Sequence, residues 1–470
     1  MLKTHYVEDL NKKITGEKVT LCGWVHLRRD HGKIVFVDLR DSTGICQIVI
    51  LPNNKNLENI ISKIGSEDVL RIFGTVNERP DNMKNTKISS GDIEILAEKI
   101  EIISKAKNPP FEISKNTLGI NEETRLKYRY LDLRNQRMRK NLKKRNQALL
   151  FIRNYLAKKG FTEIQTPILS KSTPEGARDY LVPSRLHKGK FFALPQSPQQ
   201  YKQLLMIAGI EKYFQIAPCF RDEDARANRS PGDFYQLDME MSFFEQKDIL
   251  DLVETMLSEM IAKYFPNKKI TQKPWPKITY EDAMEKYQTD SPDLRKDKKD
   301  INELAFAWIV DFPLFQKQKK DDYFYGAGEK LAPSHHMFTA PKNEDIKELL
   351  EGDPTKVKSL QHDLVLNGLE VGGGSIRIHD SKIQEKVFDI IGFTKKDKVQ
   401  FKHLLKAFEY GVPPHGGIAP GIERMLMILL GEKSLKEVMA FPLTGDGRDP
   451  MMESPSEVDK EQLKELGIKI

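Results

Sequence analysis

The first hundred residues alternate apolar and polar positions with a period of two. LCGWVHLRR, KIVFVDLRD, ICQIVIL, VLRIFGTV and DIEILAEKIEII are β-branched runs separated by Gly, Asn, Asp and Ser. Such runs bounded by turn residues predict strands. Five of them in this length predict a small closed barrel over residues 1–105, for which the OB-fold is the economical form. A proline-containing stretch at 107–114 opens a linker assigned to 106–140. From 142 to 160 the period becomes helical, with Leu149, Ile152 and Leu156 on one face and Gly160 as a stop signal.

Further helices are predicted near 248–264 and 384–391, among strand-like runs and a glycine-rich finish. The elements do not alternate as βαβα, so residues 141–470 predict an α+β domain with an antiparallel sheet flanked by helices. The lysine-rich patches RKDKKD and KQKKDD read as solvated loops.

A chain of 470 residues exceeds a single core, which agrees with this division. Charged residues are 30% and hydrophobic ones 39%, too apolar for intrinsic disorder. No apolar run is long enough to span a membrane, and MLKTHYVEDLNKK has no apolar core of a secretory signal. Cys22, Cys46 and Cys219 form no CxxC pair, which argues against a disulfide framework or a zinc site and points to a cytoplasmic protein. The net charge of +7 permits a nucleic-acid partner without requiring one.

Four segments carry candidate chemistry. In KIVFVDLRD, Phe36 falls on the more polar strand face near Arg28, Arg29 and Lys33, either as a base-stacking platform or as part of a second small core. In FYQLDMEMSFF, Leu237, Met239, Met241 and Phe243 alternate with Gln236, Asp238, Glu240 and Ser242, predicting a half-buried strand with two carboxylates on its polar face. The preceding loop, CFRDEDARANRSPGDF, suits a polyphosphate through its arginines or is a surface hairpin of ion pairs. In NGLEVGGGSIRIHD, Ser375, Arg377 and His379 share a face, and the glycines require backbone to pass close to a ligand or another chain. Asp363 and Glu370 lie on opposite phases of an extended strand, but the Asn367-Gly368 turn can bring both to one Mg²⁺. In PPHGGIAPGIERMLMILLG, glycines precede a helix with Arg424 in its first turn, an anion site or a packing device. Together the segments suggest an enzyme handling ATP, an acidic substrate and a single-stranded nucleic acid.

At these residues the chain resembles the class II aminoacyl-tRNA synthetases of the bacterial aspartyl type. FTEIQTPIL, CFRDEDARANRSPGDFYQLDMEMSF and GGIAPGIERMLMIL resemble the three class signatures, and STPEGARDY, LPQSPQQYKQLLM and NGLEVGGGSIRIHD the aspartate-type detail. The resemblance implies catalytic roles for Arg221, Glu223 and Arg424. It implies an ATP site including these with Asp222, Phe234, Glu370, Gly421, Ile422 and Glu423. Arg377 and Lys202 are expected on the aspartate side chain, with Glu175, Gln199, Arg221 and Asp238 around the amino acid. His335, on the mobile stretch APSHHMFT, is expected to close over it. Asp363 and Glu370 would hold Mg²⁺, Arg28, Arg29, His31, Phe36, Gln47 and Asn82 would meet the anticodon of tRNA(Asp), and a homodimer would form around Pro167.

The sequence departs from that pattern in several places. An insertion on the order of one small domain, usual in these relatives, is missing near 295–303, where YQTDSPDLRKDKKDINELAFAWIVDF runs on. Ser230 stands in place of a common Gln, Gly232 lengthens its loop, Pro420 and Glu423 replace Phe and Asp, and Val49 replaces an aromatic. His31 matches relatives that charge both tRNA(Asp) and tRNA(Asn), in which case an amidotransferase would process the second product; otherwise it is a polar loop residue. The rivals are a strictly tRNA(Asp)-specific enzyme, an asparaginyl or lysyl synthetase, an inactive tRNA-binding paralogue, and an ATP-dependent amide-forming enzyme. The Arg377–Lys202 pair, the intact arginines and the barrel weigh against the last four of these.

Overall fold

In the computed structural model, residues 1–52, 55–172, 176–223, 232–318 and 330–469 are described. They form two units, Met1–Lys140 and Asn141–Ile470. In the first, β1 (Lys18–His31), β2 (Ile34–Arg40), β3 (Ile45–Ile50), β4 (Val69–Glu78) and β5 (Ile93–Ser104) close into a barrel in the order β1-β2-β3-β5-β4. The period of two sends Val35, Val37 and Leu39 into the core and leaves Phe36 and Asp38 partly exposed outside it. Phe36 therefore belongs to no second core.

Residues 106–140, expected as a linker, fall within this unit and are not bare coil. Two short helices, Glu122–Lys127 and Arg129–Asp132, bury Arg125 and Arg129 against one carboxylate, Asp132. Arg125 Nη2 lies 3.0 Å and Arg129 Nη1 2.5 Å from Asp132 Oδ2, and Thr117 Oγ1 donates to Oδ1 at 2.6 Å.

The first long helix, α1 (Gln136–Lys158), starts six residues before its apolar stripe, because QRMRKN supplies good helix formers without a hydrophobic period. Ile152 and Leu156 are buried as expected. The second unit then adds β6 (Thr162–Glu163), β7 (Leu181–Pro183), β8 (Phe191–Ala193), α2 (Gln199–Ile207), β9 (Lys212–Arg221) and β10 (Gly232–Ser242). There follow α3 (Gln246–Tyr264), β11 (Lys277–Thr279), α4 (Tyr280–Tyr287), β12 (Phe306–Val310), β13 (Gln361–Leu366) and β14 (Leu369–Ile376). The unit is completed by α5 (Ser381–Ile390), β15 (His415–Pro420) and α6 (Ile422–Leu430).

An eight-stranded sheet runs β11-β12-β13-β14-β15-β10-β9-β6. Its inner pairs are antiparallel, and only the two outermost pairs are parallel. Leu237, Met239 and Met241 of β10 pack with Val253 and Leu257 of α3, Ile152 and Leu156 of α1, and Ile418 of β15.

The opposite face of β10 is not the half-exposed one that alternation suggests. Asp238 and Glu240 are both fully buried, because Gln199, Lys202 and Gln203 of α2 lie buried on their side. Phe243 does not continue the strand: it turns to φ +64° and is exposed.

Close strand contact accounts for Gly372, Gly374, Gly416 and Gly417 in the sheet. A Cβ on Gly417 would stand 1.9 Å from the Met239 carbonyl oxygen, and one on Gly374 would stand 2.3 Å from that of Gly417. Gly373 is different, since its missing Cβ faces His335 Nε2 at 3.2 Å and Asp363 Oδ1 and Glu370 Oε1 at 3.3 Å each. Within the GGG run, Gly372 and Gly374 let neighbouring strands of the sheet meet, and Gly373 leaves room beside side chains.

Candidate active site

Beside this sheet lies a cavity of about 610 Å³. Gln199 and Lys202 of α2, Arg221, Asp238, His335, Asp363, Glu370 and Arg377 all line it. Every residue expected around the amino acid is therefore here except Glu175, which lies outside the described residues. The loop of residues 224–231, with Ser230, also lies outside them.

Arg377 and Lys202 do not stand alone as cations. Arg377 Nε and Nη2 donate to the two oxygens of Glu240 at 2.9 and 3.1 Å, and Nη1 meets Ser375 Oγ and His336 Nε2, each at 2.6 Å. Lys202 Nζ lies 2.6 Å from Asp238 Oδ1 and 3.4 Å from Glu240 Oε2. Two buried cations and two buried carboxylates thus form one lattice, in which opposite charges counter the desolvation. Burial pushes Glu240 up, but Arg377 and Lys202 outweigh it and hold the carboxyl below its ordinary range. Burial wins at Asp238, whose carboxyl sits above its usual value despite Lys202. Asp238 Oδ2 makes no hydrogen bond of good geometry among the described residues, although the buried Tyr213 hydroxyl lies beside this carboxylate.

Glu240 and His336 were missed as site residues. Strand period two placed Glu240 beside Asp238, and this was the signal that could have found it; nothing local marks His336. Burial, with Arg377 nearby, holds both His335 and His336 well below the ordinary histidine value, so both are neutral. His379 does not join Ser375 and Arg377, because β14 ends at Ile376 and His379 is exposed beyond it.

A smaller slot of about 120 Å³ adjoins the cavity and is lined by Arg221, Glu223, Phe234, Glu370, Gly421, Glu423 and Arg424. The Arg221 guanidinium lies 5.1 Å from the Phe234 ring centroid, and Arg424 Nη1 donates to the Glu370 carbonyl from the first turn of α6. Arg221, Gln236, Glu370 and Ala419 line both spaces, so they form the seam between them. Two residues expected at ATP are placed elsewhere: Asp222 is exposed and bridges to Arg178, and Ile422 is fully buried in the core. Glu423 reaches the slot, but its carboxylate ties Arg145 at 2.6 Å to the backbone N–H of Tyr235 at 2.9 Å.

Asp363 and Glu370 meet despite their odd spacing. The Asn367-Gly368 turn, at φ +52° and +83°, reverses the chain tightly. The turn sets Glu370 opposite Val365, on the face that Asp363 shares by period two, and a bulge beyond it pairs Leu364 with Gly372, so that Gly373 stands opposite Asp363. Burial and the neighbouring Glu370 push Asp363 well above its ordinary value. Two carboxylates so confined fit a divalent cation, which removes their repulsion.

The described cysteines are free, and burial pushes the Cys219 thiol up to about 12, which suits no nucleophile.

On the barrel, Phe36 meets His31 edge-on at a centroid distance of 5.8 Å. Arg29 Nη2 lies 2.7 Å from Asp38 Oδ1 and 3.2 Å from Gln47 Oε1, and Gln47 Nε2 donates to Glu94 at 2.9 Å. An aromatic ring beside ordered polar groups is a surface on which a base can stack and be read. Arg28 is committed to Asp30 and to the carbonyls of Ile61 and Ile64. Asn82 is exposed on a short 3₁₀ turn between β4 and β5.

Comparisons with known proteins identify the family of both units. Residues 121–445 match the family model of tRNA synthetases class II (D, K and N), and residues 19–103 match that of the OB-fold nucleic acid binding domain. An aspartate–tRNA(Asp/Asn) ligase of Dictyoglomus turgidum is 42% identical, covering 100% of this chain and 98% of that protein. One of Syntrophomonas wolfei is 39% identical, with both chains covered completely. The first alignment runs over 594 residues against a chain of 470, so more than a hundred positions of that relative have no counterpart here. Among solved structures, an asparaginyl-tRNA synthetase of Pyrococcus horikoshii with asparaginyl-adenylate superposes with a TM-score of 0.74 at 24% identity, covering 94% of this chain and 98% of that one. An aspartyl-tRNA synthetase of Entamoeba histolytica gives 0.72 at 23% identity, covering 93% and 91%. The chain belongs to the class II aminoacyl-tRNA synthetases, as an ATP-dependent aminoacyl-tRNA ligase whose catalytic domain follows an OB-fold unit.

Proposed function

We propose that the chain activates L-aspartate with ATP and transfers it to the 3′ end of tRNA(Asp) and of tRNA(Asn). The observation that carries this reading is the Arg377–Glu240–Lys202–Asp238 lattice at the end of the cavity, joined through Arg221 and Gln236 to the nucleotide slot. Arg377 and Lys202 are the cations for the side-chain carboxylate, and Asp238, which lines the cavity, is the acceptor for the α-ammonium. The α-carboxylate then lies toward the seam.

In the first step a carboxylate oxygen attacks the α-phosphorus and the bond to pyrophosphate breaks. Arg221, at the seam, offsets the charge on the α-phosphate, while Phe234 stacks on adenine and Arg424 meets the terminal phosphate. In the second step a terminal ribose hydroxyl attacks the activated carbonyl and AMP leaves. Asp363 and Glu370 would hold Mg²⁺, which neutralises phosphate charge when bound. The neutral His335 and His336 wall the amino-acid end.

The exposed Pro167, Ile168 and Leu169, with Leu181, Phe191 and Phe192 of the β7–β8 hairpin, give an apolar surface suited to a second copy of the chain. This supports a homodimer. Charging of tRNA(Asn) implies a cytoplasmic amidotransferase acting on the product. The curated relatives named for both tRNAs support the dual reading, as does His31 beside Phe36. Aspartylation of tRNA(Asp) and tRNA(Asn) transcripts in parallel tests it: comparable plateaus are expected, and charging of tRNA(Asp) alone would make the enzyme discriminating.

A further inference from the structure

Gln361 opens β13, and strand period two sets it on the same face as Asp363. Its side chain is 97% shielded, lines the large cavity, and donates from Nε2 to both oxygens of Asp363, at 3.2 and 3.1 Å. The amide orientation follows from this contact, since the reverse one would set Oε1 against a carboxylate. Oε1 is then left as a buried acceptor with no partner among the described residues. Its backbone is anchored independently: the N–H is 3.4 Å from Ser359 Oγ, and the carbonyl accepts from Gln246 Nε2 at 3.2 Å. A buried polar side chain spent on one carboxylate, with its other pole unpaired, is costly unless the site uses it.

We propose that Gln361 is a positioning residue of the cation site, fixing the plane of the Asp363 carboxylate so that Asp363 and Glu370 act on one divalent cation. Its Oε1 is the acceptor left for an O–H donor within the loaded cavity. This rests on the reading of Asp363 and Glu370 as the cation's carboxylates. Neither the family resemblance nor the sequence pattern assigns Gln361 a role.

The test uses the full-length protein with a non-hydrolysable ATP analogue and Mn²⁺ as the probe, its binding followed by electron paramagnetic resonance. Gln361→Met keeps the side-chain length without the amide, Gln361→Ala removes the chain, and Asp363→Asn is the reference. Loss of an outer partner of this kind weakens metal binding about 10–100-fold. That loss is expected in both Gln361 variants, with melting temperature and aspartate affinity close to wild type. Unchanged Mn²⁺ affinity in both, while Asp363→Asn loses it, would overturn the proposal. So would a parallel collapse of stability and aspartate affinity, which would make Gln361 structural. If Asp363→Asn binds Mn²⁺ as wild type does, the carboxylate reading itself fails, and the inference with it.

Discussion

Arg377 and Glu240 show why the amino-acid end of the site must be treated as a unit. Removing Arg377 alone would strand Glu240, a fully buried carboxylate, and such a loss destabilises by about 3–5 kcal/mol. Arg377→Ala therefore confounds binding with folding. Glu240→Gln is the cleaner probe, because the amide keeps the shape and leaves Arg377 charged. We expect it to lower kcat/KM for aspartate in ATP–pyrophosphate exchange by roughly a hundredfold, the low end of the cost of breaking a desolvated pair. An unchanged kcat/KM would mean that Glu240 does not orient Arg377. The roles of Arg377 and Lys202 were legible only through the family resemblance, the strand period having placed no more than Arg377 on a face with Ser375. Asp238 and Glu240 were legible as two carboxylates on one strand face but not as buried ones, since their burial depends on α2 and on the loop bearing His336, both distant in sequence.

At the scale of elements, the glycines of β14 and β15 separate packing from chemistry. Gly417→Ala would drive a methyl group into the Met239 carbonyl and within 2.2 Å of Glu240 Oε2, so β15 could not stay paired with β10. A loss of several kcal/mol in urea unfolding is expected, of the size overpacking produces. Gly373→Ala meets only side-chain atoms at 3.2–3.3 Å. It should unfold near wild type while losing Mg²⁺-dependent exchange, and equal destabilisation of both variants would refute this division. The barrel strands, and β10 and β14 of the sheet, were readable from their period, whereas short edge strands such as β6 and β11 were not. The bulge that sets Gly373 opposite Asp363 was not, because one extra residue in a ladder leaves no mark on an alternating pattern.

Two expectations belong to the molecule as a whole. Phe36 lies in the barrel unit and the two cavities in the other, so Phe36→Ala should reduce tRNA charging severalfold while leaving adenylate formation unchanged. Base stacking is worth about 1–3 kcal/mol, and an equal loss in both assays would assign Phe36 to folding. The catalytic unit should also be acid-sensitive. Burial lowers His335, His336 and His415, and takes His362 down to about 3. The unfolded chain then binds more protons than the folded one below the ordinary value of 6.5. Their stabilising effect is thus complete above that pH and is lost as the pH falls from 6.5 toward the folded values, at about 1.4 kcal/mol per pH unit for each group. Thermal melts between pH 7.5 and 5 should show a falling midpoint, and a flat profile would contradict buried neutral histidines.

The central claim is that this cavity selects a dicarboxylic amino acid for activation by ATP. Amino-acid-dependent ATP–pyrophosphate exchange with L-aspartate, L-asparagine and L-lysine at equal concentration, without tRNA, tests it most directly. The Arg377–Lys202 lattice predicts exchange with aspartate alone. Exchange driven by asparagine or lysine at a comparable rate would contradict it.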